Sequence, residues 1–305
     1  MKKIITIGIV FILIGGVFCG AAYAMGEKYM DSTVTDISGV FSLDSISKIN
    51  ITDNVANIKI LKSDGGDITV KAENVVEKYF KYFVADGDTL QISYNPSSVK
   101  FGFITLPSFV FDWKNKSPVI SVYIPDGKIF DEAKFNGGIG SINAEQINAD
   151  SLIIEGGVGE YNIKNMIAEN LKVNCGMGSV KIDGIINGDT KIEGGVGEFK
   201  LTGQANGNIK LNAGLGNAAL DLNGNIEDYN IKANRGLGDI KLNGGKMPDS
   251  LQNGGKYNIN IDAGVGNIDI KIGGERITAS AAFTTPEPPE YPESPEPPEY
   301  PEINN

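Results

Sequence analysis

The chain contains no histidine, and that gap removes a large share of protein chemistry. Serine–histidine–acid triads, histidine-ligated zinc and the usual neutral-pH proton shuttle all need an imidazole. Cysteine is nearly absent as well. Cys19 and Cys175 are too few for a disulfide framework, and Cys19 lies in an N-terminal apolar stretch. Positive charge is scarce: 27 Lys and Arg stand against 38 Asp and Glu, a net charge of −11. A nucleic-acid surface needs clustered cations to displace counterions, so this balance argues against nucleic acid as a partner. The excess is in glycine, 39 residues in 305, and its placement matters more than its number.

Lys2 and Lys3 precede an uncharged run from Ile4 to Ala24. A cationic start followed by an apolar stretch is an export signal. The run is long enough to cross a bilayer as a helix, and Ala22-Tyr23-Ala24 also offers a small-x-small cleavage pattern. A retained anchor and a cleaved signal therefore both stay open, with the length favouring the anchor. Lipid attachment at Cys19 is disfavoured because Phe18 stands where a small residue is wanted. Both readings put the rest of the chain outside the cytoplasm, attached to the cell membrane or secreted.

A Gly-apolar-Gly triplet recurs along the second half. It occurs at Gly138-Ile139-Gly140, Gly157-Val158-Gly159, Gly176-Met177-Gly178, Gly195-Val196-Gly197 and Gly214-Leu215-Gly216, each step being 19 residues. Gly236-Leu237-Gly238 and Gly264-Val265-Gly266 follow after 22 and 28 residues. A fixed period near twenty is the signature of a solenoid. Apolar residues alternate before the triplet (Leu152 and Ile154, Leu171 and Val173, Ile209 and Leu211) and after it (Tyr161 and Ile163, Val180 and Ile182, Phe199 and Leu201). That is strand periodicity. Each unit thus reads as strand, glycine corner, strand and turn, with the residue between the glycines expected to point inward. On that reading Val196→Asp should collapse the domain. A single coil cannot bury its apolar face, so successive coils should stack in chain order, and seven coils at ~4.8 Å each make a rod roughly 30 Å long.

The outward positions alternate too. Glu155, Glu160, Glu193 and Glu198 fall in every second coil, with Asn or Ser between, so like charges do not stack on neighbouring strands. Lys172, Lys191, Lys210 and Lys232 form a column on another face. It is a candidate binding face for an anionic glycan or wall polymer, although a solvated face that keeps the rod soluble explains it more simply.

Four segments follow: a signal or anchor over 1–30, an N-terminal β region and cap over 31–134, the solenoid over 135–275 and a tail over 276–305. In the cap region, Asn54-Val55-Ala56-Asn57-Ile58-Lys59-Ile60 looks like a decayed copy of Gly264-Val265-Gly266-Asn267-Ile268-Asp269-Ile270. A cluster of Phe101, Phe103, Ile104, Leu106, Phe109, Val110, Phe111 and Trp113 is expected to form a hairpin over the end of the solenoid. The tail carries PEPPEYPE twice, from Pro286 and from Pro295, a composition that stays extended in polyproline II and buries nothing.

No enzyme is expected. A phosphate loop is single and lies between strand and helix, whereas these triplets recur between strands. Calcium-binding β-rolls repeat about every nine residues with a fixed Asp. A carbohydrate-cleaving carboxylate set would be one distinctive cluster, and these glutamates recur with the coils. No cofactor or metal is implied.

The chain also resembles the bacterial "putative adhesin" family of β-strand-repeat proteins, a domain of unknown function. The resemblance rests on Asp86-Gly87-Asp88-Thr89-Leu90-Gln91-Ile92, on Ile120-Ser121-Val122-Tyr123-Ile124-Pro125 and on the Gly-apolar-Gly coils, and covers roughly Val40 to Ile272. It implies an all-β, single-stranded β-helix carried at the bacterial surface and linked to envelope-stress or membrane regulatory systems, with no catalytic residues to carry over. The expected function is a surface scaffold that binds a wall polymer, a glycan or another envelope protein. A role in envelope-stress regulation and a polysaccharide-active enzyme are the alternatives.

Overall fold

The structure, a computed structural model, describes residues 34–96, 98–101, 104–107 and 117–276. The N-terminal apolar run, the Pro/Glu tail, and Phe103, Phe109, Val110, Phe111 and Trp113 of the aromatic cluster lie outside the described residues. Among the described residues, no helix is long and apolar enough to cross a membrane.

Strands make up most of what is described. They are β1 (Val34–Phe41), β2 (Lys48–Ser63), β3 (Ile68–Val76), β4 (Phe80–Ala85), β5 (Thr89–Tyr94), β6 (Ser98–Phe101), β7 (Ile104–Pro107) and β8 (Val119–Pro125). Next come β9 (Ile129–Ala144), β10 (Ile147–Glu155), β11 (Val158–Asn174), β12 (Met177–Ile186), β13 (Thr190–Glu193), β14 (Val196–Ala205), β15 (Ile209–Asn212) and β16 (Leu215–Leu222). The last are β17 (Tyr229–Asn234), β18 (Ile240–Leu242), β19 (Gly245–Lys246), β20 (Ser250–Leu251), β21 (Tyr257–Asp262) and β22 (Ile268–Ile272).

Parallel pairing stacks these strands into nine rungs. Rung 1 is β5 with β8, rung 2 is β2, and rung 3 is β9. Rung 4 is β10 with the start of β11, rung 5 the rest of β11 with β12, rung 6 β13 with β14, and rung 7 β15 with β16. Rung 8 is β21 with β22, and rung 9 is β17 with β18. Eight steps of ~4.8 Å give a stack of roughly 38 Å.

Chain-order stacking fails at both ends. The last rung in sequence slots between rungs 7 and 9: Ile209 pairs with Ile259, which pairs with Ile231. An amide ladder follows the same path. The backbone N–H of Asn267 donates to Asn217 Oδ1 at 3.0 Å, and that of Asp239 donates to Asn267 Oδ1 at 3.1 Å. The first rung in sequence, β2, likewise lies inside, between β5/β8 and β9. The 28-residue step before Gly264 exists because the chain must run out to the end, turn through a cap and return.

The alternating apolar residues face one continuous core. Ile49, Ile58, Phe135, Ile154, Ile163, Ile192, Leu201, Ile231, Ile259 and Ile270 are almost wholly buried in a single cluster. Each such side chain contributes about 1.5–3 kcal/mol against chain entropy. The decayed copy takes the register its sequence announced: Val55 pairs with Ile139 and Ala56 with Gly140. Antiparallel strands close the ends, as an exposed edge requires. Among the described residues, β4 covers β5, while β3 and then β1 cover β8. At the other end, two-residue strands β20 and β19 cover β17 and β18, and Met247 plugs the core. Phe101, Ile104 and Leu106 of the aromatic cluster belong to a short hairpin, β6 against β7, in a small sheet of its own.

Candidate binding surfaces

The glycines of the triplets sit where one arm of a rung turns into the other. The second glycine of each has φ between +132° and +155°. A Cβ on Gly197 would lie 1.8 Å from the carbonyl oxygen of Gly178 in the rung below, and one on Gly195 would lie 1.9 Å from Gly176 O. Backbone therefore packs on backbone from rung to rung, and no side chain fits between. The same holds for Gly138, Gly140, Gly157, Gly159, Gly176, Gly178, Gly214, Gly216, Gly236, Gly238, Gly264 and Gly266, each of which faces a backbone oxygen of a neighbouring rung within 2.3 Å of such a Cβ.

The residue between the glycines points outward, contrary to the expectation from sequence. Ile139, Val158, Met177, Val196, Leu215, Val265 and Leu237 are 41–74% exposed and follow one another from rung 3 to rung 9. They form a continuous apolar ridge along the glycine corner. The inward phase flips there: residues before the corner face the core in step with Val173 and Cys175, and residues after it in step with Gly178 and Val180. The missed signal was parity with Glu160 and Glu198, which lie two residues beyond Val158 and Val196 and are exposed.

The glutamates edge this ridge. Glu155 and Glu160 flank Val158 in rung 4, and Glu193 and Glu198 flank Val196 in rung 6, with the uncharged Asn174 and Ser179 between them in rung 5. They do not converge. Glu155 is tied to Lys134 at 3.1 Å and Glu193 to Lys191 at 2.7 Å. The Lys191 ammonium beside Glu193 holds that carboxyl below its ordinary range. Among the described residues, no group of three or more acids and cysteines could hold a metal.

The lysine column runs through β9, β10, β11, β13, β15, β21 and β17 in the order Lys134, Ile153, Lys172, Lys191, Lys210, Asn260, Lys232. Lys210 and Lys232 are thus two rungs apart, separated by Asn260 of the interposed rung. Lys172, Lys210 and Lys232 form no ion pair among the described residues.

Two ionisable groups are structural. Cys175 packs against the core beside the corner, and burial pushes its thiol up to about 11, which leaves it a poor nucleophile. Asp53 makes the corner of rung 2, which has no triplet. Its carboxylate accepts from the N–H groups of Val55 at 2.7 Å and Ala56 at 2.9 Å, yet burial pushes its pKa up to about 7. An unfolded Asp titrates near 3.8, so between that pH and about 7 the folded state holds a proton the unfolded state has lost. Stability from this group is full below the lower value and falls as pH rises to 7. Asp53→Asn is expected to remove this slope, up to about 3 kcal/mol between pH 5 and pH 8. Urea midpoints of both proteins at the two pH values measure it, and equal slopes would count against the assignment.

These features define a class: a glycine-cornered β-solenoid closed by antiparallel caps. The sequence matches the family described as Toastrack DUF4097 over residues 46–272, and the chain belongs to that family. Among solved structures it is similar to a "putative cell adhesion protein" of Clostridium sporogenes, at 20% identity with 79% of this chain and 100% of that one covered and a TM-score of 0.37. It is also similar to a "putative adhesin" of Bacteroides fragilis (19% identity, 78% and 98% covered, TM-score 0.41) and a "putative lipid binding protein" of Parabacteroides distasonis (16%, 77% and 96%, TM-score 0.32). No curated protein matches the chain.

Proposed function

We propose that the chain is an exported, non-enzymatic surface scaffold that binds an elongated protein partner along its apolar ridge. The observation that carries this reading is the ridge itself. Seven outward positions in line are all Ile, Val, Met or Leu, although the core makes no demand on them. Contiguous exposed apolar surface rimmed by polar groups is typical of protein interaction sites. The rims are acidic at Glu155, Glu160, Glu193 and Glu198, so the fitting partner is an envelope-exposed protein segment that is apolar along its centre and basic along its edges. Export rests on Lys2, Lys3 and the apolar run that follows.

Replacing Val158, Met177, Val196 and Leu215 together by serine tests it. Folding is expected to survive, with a melting temperature within a few degrees, while binding to the cell's own envelope fraction in a pelleting assay falls at least tenfold. Trypsin treatment of the envelope beforehand is expected to remove the binding. Binding that survives trypsin points to a glycan or wall polymer, and binding that survives the fourfold change places it elsewhere on the rod. Either result sinks the proposal.

A further inference from the structure

The lysine column carries a second inference, independent of the ridge. We propose that the Pro/Glu tail of the same chain, residues 286–302, docks as a polyproline II strand along the column of Lys172, Lys210 and Lys232.

Spacing is the first argument. The tail places Glu287, Glu290, Glu293, Glu296, Glu299 and Glu302 every third residue without a break. Polyproline II has three residues per turn at ~3.1 Å each, so these carboxylates fall on one face about 9.3 Å apart. On the rod, Lys172, Lys210 and Lys232 belong to rungs 5, 7 and 9, so they recur every second rung, about 9.6 Å apart. Three carboxylates and three ammonium groups stay in step along the column. Lys134, next in the rhythm at rung 3, is already paired with Glu155.

Availability is the second. Lys191, the lysine out of this rhythm, is occupied by Glu193, whereas Lys172, Lys210 and Lys232 have no ion-pair partner among the described residues. Beside Lys172 and Lys210 lies a shallow depression of about 320 Å³, lined by Ser151, Asn170 and Asn208 with one carboxylate, Asp189, among them. The acidic column of Glu155, Glu193 and Asp262 runs along the opposite side of the lysines, so an acidic strand lies on the side of Asn170 and Asn208. There the carboxylate of Asp189 already accepts from the N–H and the side-chain amide of Asn208.

Where the described chain ends is the third. Arg276 is bonded to Asp228 Oδ2 at 2.7 Å and to Asn206 Oδ1 at 2.8 Å. Asn206 is two residues from Asn208, at the edge of the depression, so the described chain ends beside the lysine face. The eleven residues from Arg276 to Glu287 reach up to about 36 Å, enough to place the first carboxylate at either end of the column. Single exposed ion pairs are weak. Three made by a tethered strand add up because the tether supplies a high effective concentration. The apolar ridge suits this strand badly, since its glutamate rims repel the tail.

The test uses the full-length chain in detergent, with Cys19→Ser and Cys175→Ser, and spin labels on Asp150→Cys of rung 4 and Ser294→Cys of the tail. Asp150 is exposed and Ser294 follows Glu293. Docking in either direction puts Ser294 within a few rungs of Asp150, so a narrow distance distribution below about 25 Å is expected at low salt. It should broaden and lengthen in 0.5 M salt, and in the triple variant Lys172→Gln, Lys210→Gln, Lys232→Gln, whose melting temperature checks that the rod still folds. A broad distribution at low salt overturns the proposal. So does a narrow one that persists in the triple variant, or one that disappears on dilution with unlabelled protein, which would mean the tail engages a second copy.

Discussion

Gly197→Ala is expected to abolish folding of the rod, while Val196→Asp, one residue away, leaves the melting temperature nearly unchanged. The added methyl group would sit 1.8 Å from Gly178 O, and the residue would be held at φ +140°, a conformation that L side chains avoid. The obstacle is backbone, so no side chain can swing aside, and opening the corner by the required ångström breaks the pairing of rungs 5 and 6. The cost is at the top of the range for single substitutions, about 4–5 kcal/mol or more, a large part of what stabilises an ordinary domain. Val196 is 49% exposed on the ridge, so an aspartate there keeps its hydration. Surface changes of that kind stay within about 0.5 kcal/mol. Thermal melts of the two variants decide the matter: equal tolerance, or the reverse order, means the corner is misread.

The interleaved rung order makes an equally sharp prediction. In a background of Cys19→Ser and Cys175→Ser, the pair Leu215→Cys with Val265→Cys is expected to form a disulfide readily, and so is Leu237→Cys with Val265→Cys. The pair Leu215→Cys with Leu237→Cys is expected to stay reduced. Paired strands hold the first two sites one rung apart, about 4.8 Å, within disulfide reach, whereas the third pair is two rungs apart, about 9.6 Å. Chain-order stacking predicts the reverse for Leu215 with Val265 and for Leu215 with Leu237, while Leu237 with Val265 crosslinks in either arrangement. Mapping the first two crosslinks under mild oxidation therefore discriminates between the orders. Ending the chain at Lys256 should do more than remove one rung. It deletes Ile259, Ile261, Ile268, Ile270 and Ile272, all buried, a loss on the order of 10 kcal/mol, and leaves β17 and β18 without a parallel partner.

Much of this architecture was legible in the residues because a rung is a local object. The 19-residue period, the apolar positions on both sides of the corner and the displaced copy at Asn54–Ile60 each report on strands that repeat identically. Thr190, the polar exception among the inward positions, is indeed buried, and its hydroxyl has no partner. The direction of Val158 and its equivalents was misjudged because strand parity was carried across the corner from upstream, where the glycine bend resets it. The downstream glutamates held the correct phase. Rung order was not legible, since parallel stacking on β15 is chemically as open to β17 as to β21. What decides is the cap: the short returns through β19 and β20 force the chain to come back beneath rung 9, and the irregular 22- and 28-residue steps are the trace of it. The ridge and its acidic rims were hidden by the same error of phase, while the lysine column was visible apart from the interposed Asn260.

The tucked-in rung also has a mechanical meaning. A filament whose last coil lies outermost can be peeled one layer at a time by a pull on its end, breaking a few bonds at each moment. Here a pull on Arg276 acts on a strand clamped from above and below, with β15 and β16 on one side and β17 and β18 on the other. Both sets of bonds must shear at once before anything yields, so a load transmitted through the C-terminal tail meets a lock where a sequential coil would offer a zipper.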